Sequence, residues 1–313
     1  MKSSKLILLL VWLCLASHCK GFPLAENEVG SDDDDVYDPV DEDDMRVYFD
    51  EEKFADISKL DDETIAKEVG LRVSSWKNDS DVNPEELGLY NEGDIVSTNH
   101  NSRNGLTDER TRWPNGVVPY EIGGYFSSQD IATIKQAMDE YHKRTCIKFV
   151  QRKREHRDYI LIVSDNTGCW SSVGRIGGAQ KVNLQSPGCL TTLGTPIHEL
   201  MHALGFLHEQ NRYERDNHVS ILWDNIQAGK HRILHLMLKY TRQYARTKGQ
   251  THGQGVDYDY RSVMHYSAGA FSRNGKPTIV PKISGVEIGQ RKGFSRGDVQ
   301  KIRHMYKCPQ RRP

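Results

Sequence analysis

Residues 198–208 read His-Glu-Leu-Met-His-Ala-Leu-Gly-Phe-Leu-His, and no other stretch so constrains the fold. On a helix, residues four apart share a face, so His198 and His202 offer two imidazoles to one point. Glu199 lies about 100° around the same helix. It is poorly placed to bind an ion held by the two histidines, yet it can reach a water beside that ion. Gly205 follows one turn later, where the left-handed conformation that glycine adopts freely ends a helix. The chain can then turn sharply and return His208 as a third ligand. Three protein ligands with one position left for water is the pattern of catalytic zinc. Paired histidines at this spacing also occur by chance on amphipathic helices. The glycine and the third histidine are what no ordinary helix requires. Pro196 suits a first helical turn and Thr195 an N-cap. Met264, within Ser262-Val263-Met264-His265-Tyr266, supplies a methionine turn to lie beneath the ion.

Charge divides the chain. The net charge is −1, but residues 21–103 sum to −18 and residues 104–313 to +14. Two pieces of opposite sign attract each other. Residues 32–35 and 41–44 are acidic runs with few apolar neighbours, which reads as extended and solvated chain. From residue 49 to 71 the pattern turns mildly helical, with Phe54, Ile57, Leu60, Ile65 and Val69. Residues 87–104 are rich in Asn, Gly, Asp and Ser and read as an exposed linker containing one isolated base, Arg103. An acidic segment joined to a basic domain by a cuttable linker suggests a propeptide.

Lys2 and Lys5 precede an apolar run at residues 6–16, followed by small and polar residues. That order is a secretory signal peptide ending near residue 21. The run is too short to cross a bilayer. Cleavage there leaves Cys146, Cys169, Cys189 and Cys308, an even number that reads as two disulfides with three possible connectivities. Asn78-Asp79-Ser80 is an N-glycosylation sequon and suits secretion.

The basic segment reads as strands at 117–122, 146–151, 159–164 and 180–185. A helix spans 129–145, capped by Ser127 or Ser128, with Ile131, Ile134, Met138 and Tyr141 at helical spacing. The helix of the histidines follows. Asn274-Gly275 reads as a hairpin turn. The expected fold is α+β: a strand-rich N-terminal half backed by two long helices, an irregular C-terminal half, and a cleft between them that takes an extended peptide along a sheet edge.

At this point the chain resembles the astacin family of secreted zinc endopeptidases, of the metzincin type, from about Trp113 to Cys308. Residues 198–216, HELMHALGFLHEQNRYERD, are similar to the family signature, with Glu214 where the family usually has Asp. Further likeness lies in Gly168-Cys169-Trp170-Ser171-Ser172-Val173-Gly174 with Gly177-Gly178, in the Ser-Val-Met-His-Tyr turn, and in Ile288-Gly289-Gln290-Arg291. The resemblance implies a twisted, mostly parallel N-terminal sheet in a two-lobed domain. It implies zinc on His198, His202 and His208, with Glu199 as general base. Tyr266 would be a fifth, switchable ligand that swings off to stabilise an oxyanion. It implies disulfides Cys146–Cys308 and Cys169–Cys189, and a mature N-terminus near Asn104, just after Arg103, buried beside Glu209. The family's Phe-x-Gly-Asp latch finds its closest match in Asn91-Glu92-Gly93-Asp94. Asp94 is then the blocking carboxylate, and Tyr90 stands in for the aromatic residue. Residues 1–21 would be the signal peptide, 22–103 the propeptide and 104–313 the protease domain.

The expected partners are protein or peptide substrates, the chain's own propeptide and an activating protease. No nucleic acid or membrane anchor is expected, because no such motif or segment is present in the sequence. Two other classes compete. A secreted binding protein on a silent protease fold would not need all three ligands, the base and Tyr266. A polyanion-binding basic domain would explain Arg152-Lys153-Arg154, but the acidic segment accounts for the same charge.

Overall fold

The computed structural model describes residues 62–88, 90–96, 108–227 and 253–309. The signal peptide, the acidic runs at 32–44, residues 49–61 and the Arg103–Asn104 bond lie outside the described residues. Five strands form one sheet: β1 (Val117–Ile122), β2 (Lys148–Gln151), β3 (Tyr159–Val163), β4 (Cys169–Ser171) and β5 (Ala179–Leu184), in the order β2-β1-β3-β5-β4. All neighbours are parallel except β4, which runs antiparallel to β5 with Cys169 opposite Leu184. β4 is therefore an edge strand.

Ahead of this sheet lies helix α1 (Asp62–Ser74). The crossover from β1 to β2 is α2 (Ser128–Arg144). Ser127 caps α2: its hydroxyl accepts from Asp130 N at 3.1 Å, and Asp130 returns the bond to Ser127 N at 2.9 Å. Ile134, Ala137, Met138 and Tyr141 form its buried stripe against the sheet. Helix α3 (Gly194–Ala203) packs under the sheet and is buried on every side. It is shorter than expected, and Thr195 sits inside its first turn rather than capping it; Leu193 holds the N-cap position. Its last carbonyls are taken from outside. Gly174 N donates to His202 O at 2.9 Å, Trp113 Nε1 to Ala203 O at 2.8 Å and Tyr306 hydroxyl to Leu204 O at 2.9 Å.

The C-terminal part holds a two-stranded ribbon, β6 (Val219–Ile221) with β7 (Ile279–Pro281), and helix α4 (Arg296–Met305). A second cluster of buried side chains, including Tyr258, Tyr266 and Phe271, forms its core, separate from the large core beneath the sheet. Helix α4 was not expected from sequence, and neither was β4. β4 has three residues, too few for alternation to register. Asn274-Gly275 does make a turn, with Gly275 at φ +74°, but it joins no pair of strands. The Asn274 side chain instead accepts from Lys276 N at 3.1 Å and donates to Asn225 at 2.9 Å. Disulfides join Cys146 to Cys308, and Cys169 to Cys189. Among the described residues, no helix is long and apolar enough to cross a membrane.

Candidate metal centre

Helix α3 places His198 and His202 one turn apart, with their Nε2 atoms 3.0 Å from each other. Gly205, at φ +107°, ends the helix. The reversed chain brings His208 Nε2 to 3.3 Å from His198 Nε2. Asp94 Oδ2 lies 2.9 Å from Nε2 of His198, 3.4 Å from that of His202 and 3.2 Å from that of His208. All four residues are buried.

Each ring is held from behind. His198 Nδ1 bonds Val263 O at 2.8 Å, His202 Nδ1 bonds Phe206 O at 2.7 Å, and His208 Nδ1 bonds Glu92 Oε2 at 2.6 Å. These partners only accept, so each Nδ1 carries a proton and each Nε2 is turned to the common point, where it presents a lone pair once a cation displaces any proton it holds. Three lone pairs and a carboxylate oxygen then crowd one point, an arrangement that a cation makes favourable. Zinc bonds of about 2.0–2.1 Å in a tetrahedron put ligand atoms about 3.3 Å apart. The observed separations, 2.9 to 3.4 Å, match. The donor set fits one zinc ion.

Electrostatics agree. Burial alone would raise the Asp94 carboxyl, but His208 and His202 outweigh it and hold the group well below the usual range. Burial likewise opposes charge on His208, yet Asp94 and then Glu92 overcome it and lift the imidazole to about 10. The pocket is built to receive positive charge. Glu199 is fully buried, and neither of its oxygens has a hydrogen-bond partner. Burial first, then the Asp94 charge, push its carboxyl well above its ordinary value.

Residues 90–96, which composition reads as exposed linker and the family resemblance as a latch, are seated in the site. Glu92, Gly93, Asp94 and Ile95 are buried. The polar composition misled because its carboxylates are buried against histidines rather than water. Ile95 pairs in parallel with Ser171 on the edge of β4; Val96 N donates to Ser171 O and Ser171 N to Asp94 O, each at 2.9 Å. Gly93, at φ +95°, lies where a Cβ would come 3.2 Å from both Phe271 Cζ and Glu85 O. The Tyr266 hydroxyl donates to the Glu92 carbonyl, and its ring stands 4.4 Å from that of His208. Tyr90 packs on Trp170 with ring centroids 5.3 Å apart.

Three participants escaped the sequence reading. Glu85 is fully buried and pairs with Arg291. Glu86 accepts from Ser267 N at 2.7 Å and Ser267 Oγ at 2.6 Å. Glu92 takes His208 Nδ1 and the Asn211 amide, the latter at 2.7 Å. The only local signal was Asn83-Pro84-Glu85-Glu86, a capping box in which Glu86 bonds Asn83 N at 3.1 Å. The partners in the other half of the chain have no local signature.

Met264 is buried, and its carbonyl accepts from Glu209 N at 3.0 Å. Asp298, the N3 partner of the Ser295 cap of α4, accepts from Ser262 Oγ at 2.5 Å and Val263 N at 2.9 Å, which holds the turn that carries Met264 and Tyr266. Glu209 is already engaged by Lys301, by Arg212 at 2.9 Å and by Asp259 N at 2.8 Å. Asn104, expected beside it, lies outside the described residues. Asn78 is exposed in a turn after α1.

Three imidazoles and a carboxylate placed to hold one ion, flanked by an unpartnered buried glutamate, define a mononuclear metal site on a metzincin-like fold. The profile of the Astacin peptidase family matches residues 105–307, and the chain belongs to that family. It is 37% identical over 292 residues to zinc metalloproteinase nas-15 of Caenorhabditis elegans, covering 83% of this chain and 48% of that protein. It is 42% identical over 234 residues to nas-4 of the same organism, covering 71% and 70%. The chain spans about half the length of several curated relatives it matches. Among solved structures, high choriolytic enzyme 1, a hatching enzyme zinc-protease from Oryzias latipes, superposes with a TM-score of 0.54 at 40% identity, covering 63% of this chain and 94% of that one.

Proposed function

We propose that the chain is the precursor of a secreted zinc endopeptidase, held latent by its own N-terminal segment until it is cut between Arg103 and Asn104. The reading rests on one observation: three Nε2 lone pairs and the Asp94 carboxylate converge on a point that a single zinc ion fits. His198, His202 and His208 would hold zinc, and Asp94 would fill the position that water needs. When bound, zinc polarises the scissile carbonyl and acidifies water.

The chain's own residues do the rest. Glu199 takes a proton from the attacking water and delivers it to the leaving nitrogen. With the segment gone, Tyr266 loses the Glu92 carbonyl as partner, and its hydroxyl is free to donate to the oxyanion. The edge of β4, occupied by Ile95, becomes available to an extended protein or peptide substrate. The leader, the disulfides and the Asn78 sequon support secretion as a glycoprotein. Activation then requires a protease that cuts after Arg103.

The test is digestion of a peptide library by protein trimmed at Arg103, with and without chelator. Cleavage that chelator stops and zinc restores is the expected result. Equal cleavage with and without metal, or none in zinc-loaded trimmed protein, refutes the reading.

A further inference from the structure

Helix α1 does not touch the metal site. Among the described residues, no hydrogen bond joins it to Asp94, the three histidines or Glu199. It sits in a groove of its own, beside the Cys169–Cys189 bridge. Val69 and Val73, one turn apart, are 3% and 0% exposed and belong to the main core. The groove walls come close because two glycines line them. A Cβ on Gly188 would lie 2.0 Å from Val73 O, and one on Gly168 would lie 3.1 Å from Val69 Cγ1. Each of these glycines precedes a cysteine of the bridge, which ties the walls together. Gly70 presents bare backbone to the wall: a Cβ there would stand 2.5 Å from Asn166 O. Gln185, fully buried, reads the helix directly. Its Nε2 donates to Gly70 O at 2.6 Å and to Ser74 Oγ at 2.8 Å, while its Oε1 accepts from Gly168 N at 2.8 Å.

We propose that this groove is a helix-binding site independent of the metal centre, specific for the pattern Val-Gly-x-x-Val-Ser, and that it retains the excised N-terminal segment after the linker is cut. Its occupant is the chain's own α1. The proposal rests on the precursor reading only for the cut. The groove offers what a helix needs: two apolar contacts one turn apart, a close approach at glycine, and a side-chain amide donating to a helix carbonyl. Release of Asp94 from zinc then leaves the segment tethered, so cutting and dissociation are separate steps.

The experiment uses the full-length chain with a specific protease site in place of residues 99–103, carrying Asp94→Ala to remove the metal latch. After cutting, the N-terminal segment is expected to co-elute with the large fragment on gel filtration. A labelled peptide of residues 60–78 is expected to displace it, and a scrambled peptide is not. Gly70→Ala separates groove fit from helix stability. Alanine favours helix over glycine, so the variant peptide gains helicity by circular dichroism, yet it is expected to bind at least tenfold more weakly. Elution of the segment free of the large fragment overturns the proposal, and so does undiminished binding of the Gly70→Ala peptide. Hydrolysis of a short reporter peptide is read in parallel. If co-elution persists and neither the uncut nor the cut chain, loaded with zinc, hydrolyses the reporter, the precursor reading fails while the helix site stands.

Discussion

Replacing Glu85 by alanine asks what holds the N-terminal segment in place. Glu85 is 0% and Arg291 6% exposed, so water screens neither charge. The carboxylate accepts from Arg291 Nε and, at 3.3 Å, from Thr195 Oγ1. Removing it leaves the buried guanidinium with only Glu86, 3.9 Å away, as counter-charge while the segment is seated, which costs at most about 3–5 kcal/mol. When the segment lifts away, water reaches that guanidinium, so the cost falls on the seated state. At about 1.4 kcal/mol per decade, the ratio of seated to lifted segment drops by at most about two to three and a half orders of magnitude. The assay is background hydrolysis of a quenched fluorescent peptide by the uncut chain, kept whole by Arg103→Gln. The rate is expected to rise in that proportion, up to the ceiling of trimmed enzyme. Glu85→Gln keeps an acceptor and gives a smaller rise. Combining Glu85→Ala with Arg291→Met removes the orphaned charge and restores protection of residues 84–96 against limited proteolysis. A background rate within twofold of the parent, in protein with the parent's Tm, refutes the claim that this ion pair anchors the segment.

The remaining expectations concern the site and its support. Glu199→Gln keeps zinc by elemental analysis and lowers kcat of the trimmed enzyme by about 10²–10⁴-fold; parental turnover would remove Glu199 from the proton transfers. Asp94→Ala in the uncut chain raises chelator-sensitive hydrolysis of a short peptide, and a silent variant would deny Asp94 the latch. His265 is buried, with Nδ1 bonding Tyr266 O at 2.8 Å and Nε2 accepting from the Tyr258 hydroxyl at 2.7 Å. Burial lowers its pKa from 6.5 to about 4. Between those values the unfolded chain binds more protons, so this residue's share of stability is complete above pH 6.5 and lost as pH falls towards 4. That share is about 3 kcal/mol. The decline of Tm from pH 6.5 to 4 is expected to be shallower in His265→Gln, and equal slopes would contradict the assignment.

Much of the fold follows from patterns within a few residues. β1 appears over the expected residues, 117–122, and α2 differs from its expected span by a single residue at each end. The helix is set by its period and by the Ser127 cap, which are local causes. β4 is different. Cys169–Ser171 becomes a strand because it pairs with β5 and with Ile95, and neither partner is visible in three residues. Residues 90–96 show the same limit from the other side. Their Asn, Glu, Gly and Asp read as linker, since polar residues ordinarily seek water. They are buried because histidines, Tyr266 and Ser171, more than seventy positions away in sequence, bond the Glu92 and Asp94 carboxylates and several backbone groups.

What the sequence alone determined is the donor set and its local geometry. The four-residue spacing of His198 and His202, and the glycine that lets His208 return, follow from helix pitch and backbone sterics. Only the tertiary structure decided how the chain closes that site on itself. Glu85 against Arg291, Glu92 behind His208, and α1 in a groove beside the Cys169–Cys189 bridge all pair residues more than a hundred positions apart. Such pairings are chosen by burial and charge compensation in three dimensions, and no short stretch of sequence carries the record of its partner.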